Sequence, residues 1–314
     1  MPRLDGLSEP LSREAAAWEA SLTNKLSSSH VLVAKKQQVG SAIFVFVSES
    51  LAGSCAARIA AIGTGPLGAG NKGAVAASLF VRGTWMCLLC VHLAAGNKGP
   101  VPRNKEAATI SAKLTFPAEG GAGSSGGAEG ASAAAAGHFA APLTIEEHDA
   151  VIWGGDLNYR VALPDSKVHA LIAINDLVTL SAADELRQVI AAGEAFSNFV
   201  EGPLNFAPTY KYDPGSNLYD TSTKKRAPAW TDRVIWRQSD KLQCLRYGRH
   251  ELLDSDHRPV SALIQLSVEA GETAAASTVR PLTLTTSLAP CGKLVKCVRE
   301  CFGGRPLDAY QELA

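Results

Sequence analysis

Between Val31 and Leu93 the chain passes through four short apolar or β-branched runs, Val31 to Val33, Ala42 to Val47, Ala74 to Val81 and Trp85 to Leu93, separated by turns. Runs this short, bounded by glycine and polar residues, read as buried strands. A helix precedes them. Leu11, Ala15, Trp18, Leu22 and Leu26 recur at helical spacing, and Ser12 is available as the cap. Downstream, the pattern predicts helices near Asn104 to Leu114, Lys167 to Ile174 and Ala182 to Ala192, and strands at Ala150 to Trp153, Val234 to Trp236, Leu242 to Tyr247 and Val260 to Leu266. Strands and helices intermingle without a strict β-α alternation. That order predicts a layered α/β sandwich with mixed sheets over a doubly wound parallel sheet.

The 314 residues are 46% hydrophobic, ample for a buried core in one large domain or two small ones. Thirty Lys plus Arg balance thirty Asp plus Glu. An anionic partner must therefore be held by a local basic cluster, and a general nucleic-acid binder is disfavoured. Seven cysteines without an apolar leader at Met1 to Pro10 do not read as a secreted disulfide framework, so a reducing compartment is expected. Ala42 to Val47 and Met86 to Val91 are far shorter than the roughly 20 apolar residues that a membrane helix needs. Cys87 and Cys90 sit in such a run with no second pair at zinc spacing, and read as core thiols. Ala118 to Ala141 is a low-complexity stretch of Ala, Gly and Ser. From about Val268 a largely irregular tail is expected, with Cys291 to Phe302 as a short helix outside the domain. The cysteines and cations of that helix also fit a membrane-apposed segment.

Three stretches carry chemistry. Gly155-Asp156-Leu157-Asn158-Tyr159-Arg160 follows the run Val151 to Trp153, and a carboxylate and an amide two residues apart at a strand end project to one side, where they can orient a water or a phosphate oxygen. Ser255-Asp256-His257-Arg258-Pro259 precedes a strand. Its imidazole can donate to a phosphoryl oxygen, and Asp232, ahead of another strand, can supply the carboxylate that orients it. The third stretch runs from Pro208 to Arg233. It holds five cations, three tyrosines and the stiffening Pro208 and Pro228, which suits a site for more than one phosphate.

These blocks resemble the inositol polyphosphate 5-phosphatases of the DNase I-like endonuclease, exonuclease and phosphatase superfamily. The resemblance runs from about Val31 to Leu266, through Gly70 to Val75, His92 to Ala95, Gly155 to Arg160, Pro208 to Asp213, Arg226 to Arg233 and Ser255 to Val260. The Tyr-Lys-Tyr-Asp and Pro-Ala-Trp blocks set it apart from the nucleases, and the nearest subgroup looks like the type II enzymes. The resemblance implies a four-layer sandwich, with two mixed sheets face to face and helices outside. It implies a helix at 1–30 belonging to a catalytic domain at 31–267, with the low-complexity loop at 118–141 and a tail at 268–314.

The same resemblance implies magnesium-assisted hydrolysis of the 5-phosphate from an inositol ring, whether a phosphoinositide headgroup such as phosphatidylinositol 4,5-bisphosphate or a soluble inositol polyphosphate. It places the protein in the cytoplasm, peripheral at membranes. Asp156 and Asn158 match the residues that position the attacking water, His257 the one that binds the scissile phosphate, Asp232 its partner, and His92 a second histidine nearby. Tyr210, Lys211, Lys225 and Arg226 match the residues that hold the neighbouring 4-phosphate. Asn71 and Lys72 fall in a block expected to reach substrate phosphate, and Asp256 and Arg160 are secondary members.

One departure matters. The family's first strand, with an asparagine and a Gln-Glu pair whose glutamate ligates the metal, lies upstream of anything that matches, so the chain is expected to lack that strand and no metal ligand is assigned; Glu9 and Glu14 are not assigned in its place. A domain that binds inositol phosphates without turning them over is therefore the second expectation. Gly63-Thr64-Gly65-Pro66-Leu67-Gly68 formally fits the dinucleotide glycine pattern, but no acid follows about 20 positions on, and that reading is discarded.

Overall fold

The computed structural model describes residues 11–118 and 141–268, and the backbone of 282–288. The chain divides into two compact units: Met1–Val91, Thr109–Trp153 and Ser267–Leu282 form the first, and His92–Ala108, Gly154–Leu266 and Thr283–Ala314 the second.

The first unit opens with α1 (Arg13–Leu26), where Ser12 takes the cap and its Oγ accepts from the Ala15 N–H at 3.2 Å. Glu19 on this helix accepts from Lys35 Nζ at 2.8 Å. β1 (His30–Gln38) and β2 (Ser41–Ser48) form an antiparallel hairpin, so the strand expected over Val31 to Val33 continues well beyond it. After the short α2 (Glu49–Ala52), β3 (Cys55–Gly63) pairs antiparallel with β4 (Gly73–Val81). β5 (Thr84–His92) and β8 (Ala150–Asp156) continue the sheet beyond them.

β4 is buried at nearly every position, from Ala74 through Leu79, because both of its faces are covered and alternation is not required. Trp153 at the middle of β8 is fully buried. Cys87 is buried and Cys90 half-buried within β5, in keeping with the apolar run. The glycine-rich segment after β3 turns straight back into an antiparallel partner, with Gly63 opposite Gly73. Gly73 has φ of 137°, and a Cβ there would lie 1.9 Å from the Ile62 carbonyl oxygen, which explains the glycine by close backbone approach and leaves no dinucleotide turn.

β6 (Thr115–Phe116) and β7 (Leu143–Thr144) pair on either side of the low-complexity stretch. Arg58 Nη1 donates to the Pro117 carbonyl at 3.2 Å and to the Ala141 carbonyl at 2.9 Å, one guanidinium holding both ends. Residues 119–140 of that stretch lie outside the described residues, as does the helix expected over Cys291 to Phe302.

In the second unit, α3 (Val101–Lys113) begins and is followed by α4 (Asp165–Ala173), α5 (Leu177–Ala182) and α6 (Glu185–Ala192). The helix expected to run unbroken from Ala182 to Ala192 is interrupted. Asp184 caps α6 with φ −69° and ψ 125°, its side chain accepting from the Arg187 N–H, while both of its oxygens also receive Arg233 Nη1 at 2.9 and 3.0 Å. Arg233 reaches Glu201 as well, and Tyr247 donates to Glu201 at 2.9 Å. Burial works against the Arg233 charge, and the two carboxylates overcome it and raise its pKa; for Asp184 burial is the larger influence and raises its pKa, although Arg233 and the Arg187 N–H pull the other way.

β9 (Phe199–Glu201) pairs antiparallel with β10 (Asp232–Arg237). β11 (Leu242–Arg249) pairs antiparallel with β12 (Val260–Leu266), and β13 (Leu282–Leu288) lies beside β12. The tail expected to be largely irregular thus contributes a strand.

Candidate active site

The second unit gathers most of the candidate residues. Asp156 ends β8, Asp232 opens β10, and His257 sits three residues before β12. Between them runs an extended segment, Thr209 to Tyr212. The Tyr210 N–H and carbonyl exchange hydrogen bonds with Ala229, the Arg258 N–H donates to the Thr209 carbonyl at 2.8 Å, and the Tyr212 N–H donates to the Asp256 carbonyl at 2.9 Å. This main-chain ladder fixes His257 and Asp232 across one stretch of backbone.

His257 Nδ1 lies 2.8 Å from Asp232 Oδ2, and that same oxygen accepts from the Thr209 hydroxyl at 2.8 Å and the Thr231 hydroxyl at 3.0 Å. Burial disfavours the imidazolium, but the Asp232 carboxylate, with Asp156 and Asp256 adding to it, raises the His257 pKa to about 9. Asp232 moves the other way: its burial alone would push it up, and His257 and the two threonines pull it below the usual carboxylate range. The pair is therefore an ionised carboxylate and a protonated histidine at neutral pH. Nδ1 is committed to Asp232, leaving Nε2 as the donor for an incoming oxyanion. The Tyr210 ring packs on the His257 ring with centroids 4.7 Å apart, and the Arg160 guanidinium lies 4.8 Å from the centre of the Tyr210 ring.

Asp156 and Asn158 meet differently from the expected strand alternation. The strand ends at Asp156, and Asn158 has φ of 59° in the left-handed region, with its N–H donating to Asp156 Oδ1 at 3.0 Å. Asn158 Nδ2 donates to the Leu93 carbonyl, and its Oδ1 accepts from Arg160 Nη2 at 2.7 Å. Its amide is thus engaged in fixing the turn, and Asp156 is the carboxylate turned to the site. His92 ends β5 with Nε2 3.4 Å from Asp156 Oδ2. Arg160 is anchored in turn: its N–H donates to Glu185 Oε2, which also pairs with the buried Arg103.

On the outer side, Lys211 Nζ pairs with Asp256 Oδ2 at 2.8 Å. Burial works against the Lys211 charge, and Asp256 raises its pKa in spite of it; Asp256 is lowered by Lys211 against its own burial. Lys225 and Arg226 are exposed on the following loop. Asn71 and Lys72 fall in the turn before β4, within the first unit. Thr209 and Thr231 were not legible as site residues, since the sequence gives no signal that two hydroxyls converge on Asp232.

Fold and site together define a phosphoester-handling α/β domain, and residues 7–263 match the model of the endonuclease/exonuclease/phosphatase family 2; the chain belongs to that family. Its relatives within the family are inositol polyphosphate 5-phosphatases and synaptojanins. It is 39% identical over 256 residues to the synaptojanin of Caenorhabditis elegans, covering 79% of this chain and 21% of that protein. It is 37% identical over 251 residues to type I inositol polyphosphate 5-phosphatase 4 of Arabidopsis thaliana, covering 77% of this chain and 43% of that protein. The chain spans less than half the length of either relative. Among solved structures, the inositol polyphosphate 5-phosphatase domain of a synaptojanin, in complex with inositol (1,4)-bisphosphate and calcium ion, matches with TM-score 0.68 and 29% identity, over 98% of this chain and 79% of that one. The fold is thus the α/β sandwich that the intermingled strands and helices predict.

Proposed function

We propose that this chain hydrolyses the 5-phosphate of phosphorylated inositols, including the headgroup of phosphatidylinositol 4,5-bisphosphate. The observation that carries the reading is the Asp232–His257 pair, a protonated donor held beside the Asp156 carboxylate, with Lys211 paired to the adjacent Asp256. The Arabidopsis thaliana relative and the matched synaptojanin domain are inositol polyphosphate 5-phosphatases by name, which supports the same reaction.

In this reading Asp156 orients the attacking water, and the Asn158 N–H holds that carboxylate in place. His257 donates from Nε2 to a non-bridging oxygen of the scissile phosphate as charge builds on it, and Asp232 keeps the imidazole oriented and charged. His92, next to Asp156, faces the same phosphate. Tyr210, Lys211, Lys225 and Arg226 receive the neighbouring 4-phosphate.

Magnesium at phosphoryl sites is held by one or two carboxylates, with water and substrate phosphates completing the shell. Asp156 fits that sparse set, whereas Asp232 Oδ2 is already filled by three donors. A magnesium ion held by Asp156 would polarise the phosphoryl oxygen as a Lewis acid. A lipid substrate would be met in peripheral contact at the cytoplasmic face of a membrane; no helix among the described residues is long and apolar enough to cross one.

Phosphate release from phosphatidylinositol 4,5-bisphosphate vesicles and from soluble inositol 1,4,5-trisphosphate, with magnesium, tests the reading. Release from either supports it, and its loss on His257→Ala ties it to this site. A second reading is binding without turnover, since Lys211, Lys225 and Arg226 would hold inositol phosphates whether or not a metal completes the site. Tight binding of the trisphosphate with no phosphate released would select it.

A further inference from the structure

Lys211 and the Lys225–Arg226 pair come from separate stretches of chain, and one residue joins them, by its main chain on one side and its carboxylate on the other. Asp220 is only 7% exposed. Its N–H donates to the Lys211 carbonyl at 2.9 Å, while its Oδ1 accepts from the Ser222 N–H at 3.1 Å and its Oδ2 from the Arg226 N–H at 2.9 Å. Inside the loop it closes, the Lys225 N–H donates to the Ser222 carbonyl at 3.1 Å and Lys225 adopts φ of 39°. Asp213 secures the approach, accepting the Thr221 hydroxyl at 2.6 Å.

A carboxylate set among Lys211, Lys224, Lys225 and Arg226 would ordinarily pair with their side chains and cancel part of their charge. Asp220 instead turns both oxygens to main-chain N–H groups. Burial works against its ionised form, and the bonds from Ser222 and Arg226 hold it below the usual carboxylate range all the same. The loop is thereby fixed by a negative charge while Lys225 and Arg226 remain exposed to a ligand.

We propose that Asp220 is a positioning residue for substrate choice: it sets the spacing between Lys211 and the Lys225–Arg226 pair, and with it the preference for an inositol that carries a phosphate beside the scissile position. The proposal rests on the reading of this loop as the site for that neighbouring phosphate. Asp220 itself touches no substrate; it acts through the loop.

The test is calorimetric binding of two probes, inositol 1,4-bisphosphate and inositol 1-phosphate, to the full chain and to Asp220→Ala and Asp220→Asn. The unaltered chain is expected to bind the bisphosphate more tightly. Asp220→Ala should weaken the bisphosphate by about tenfold, the scale of losing charge-assisted hydrogen bonds, and leave the monophosphate where it was. Asp220→Asn, which keeps one acceptor for a main-chain N–H, should fall between. Unchanged preference in Asp220→Ala overturns the proposal, and so does an equal loss for both probes, which would mark a merely structural role. A chain that never discriminates between the probes overturns it too. Because the readout is binding, absence of phosphate release would refute the hydrolase reading and leave this proposal standing.

Discussion

Asp232 Oδ2 receives three donors at once, His257 Nδ1 at 2.8 Å and the hydroxyls of Thr209 and Thr231 at 2.8 and 3.0 Å. The hydroxyls fix the carboxylate, and the carboxylate fixes the charge and the orientation of the imidazole. A histidine so held is a donor across the whole neutral range.

The pH dependence follows from the sign of that shift. The His257 pKa is raised, so the protonated form persists until the pH approaches about 9, and kcat/KM should fall above that point with the slope of a single proton. The stabilisation from the pair is complete below the unfolded value of about 6.5 and is lost as the pH rises through about 9. In Asp232→Asn the alkaline limb should move to lower pH. A pH–rate profile of both chains measures this, and an alkaline limb that stays near 9 in the variant would refute the pairing as its cause.

His257→Ala should lower kcat by about 10² to 10³, the usual effect of removing one preorganised donor to a developing oxyanion. KM should change much less. Steady-state kinetics on inositol 1,4,5-trisphosphate separates the two parameters, and a variant impaired only in KM would assign His257 to ground-state binding.

Arg233 is fully buried between Asp184 and Glu201. Arg233→Met should destabilise the fold by about 3–5 kcal/mol, because both carboxylates are left buried without compensation. Urea unfolding followed by tryptophan fluorescence reads this directly. A loss under about 1 kcal/mol would mean that water reaches the two acids and replaces the guanidinium.

Lys225→Ala and Arg226→Ala should each weaken inositol 1,4-bisphosphate binding by several-fold at low salt, with the difference shrinking as the ionic strength rises toward 1 M and the Debye length falls to about 3 Å. Both side chains are exposed, so thermal stability should stay within about 0.5 kcal/mol of the parent. Binding titrations at two salt concentrations check it; salt-independent losses would point to shape in place of charge.

Much of this site can be read from residue order, and the exceptions share a physical cause. Asp156, Asp232 and His257 announce themselves because each stands at the end of an apolar strand run, where side chains leave the core for the edge. Alternation fails one residue later. Asn158 lies beyond the strand in a left-handed turn, held by Leu93 and Arg160, and no period describes that. The break at Asp184 is hidden for a similar reason: the guanidinium that claims it is 49 residues away, and local helix propensity carries no trace of a distant partner. Thr209 and Thr231 flank the site in sequence, but their convergence on a single oxygen exists only after folding.

The Arg58 guanidinium, bonded to the carbonyls of both Pro117 and Ala141, has a consequence for engineering. A span whose two ends are already pinned charges little for added length, since each doubling of a closed loop costs only about 0.6 kcal/mol. Pro117 and Ala141 are therefore the two anchor points between which a change of length would be absorbed, with the fastening supplied by Arg58.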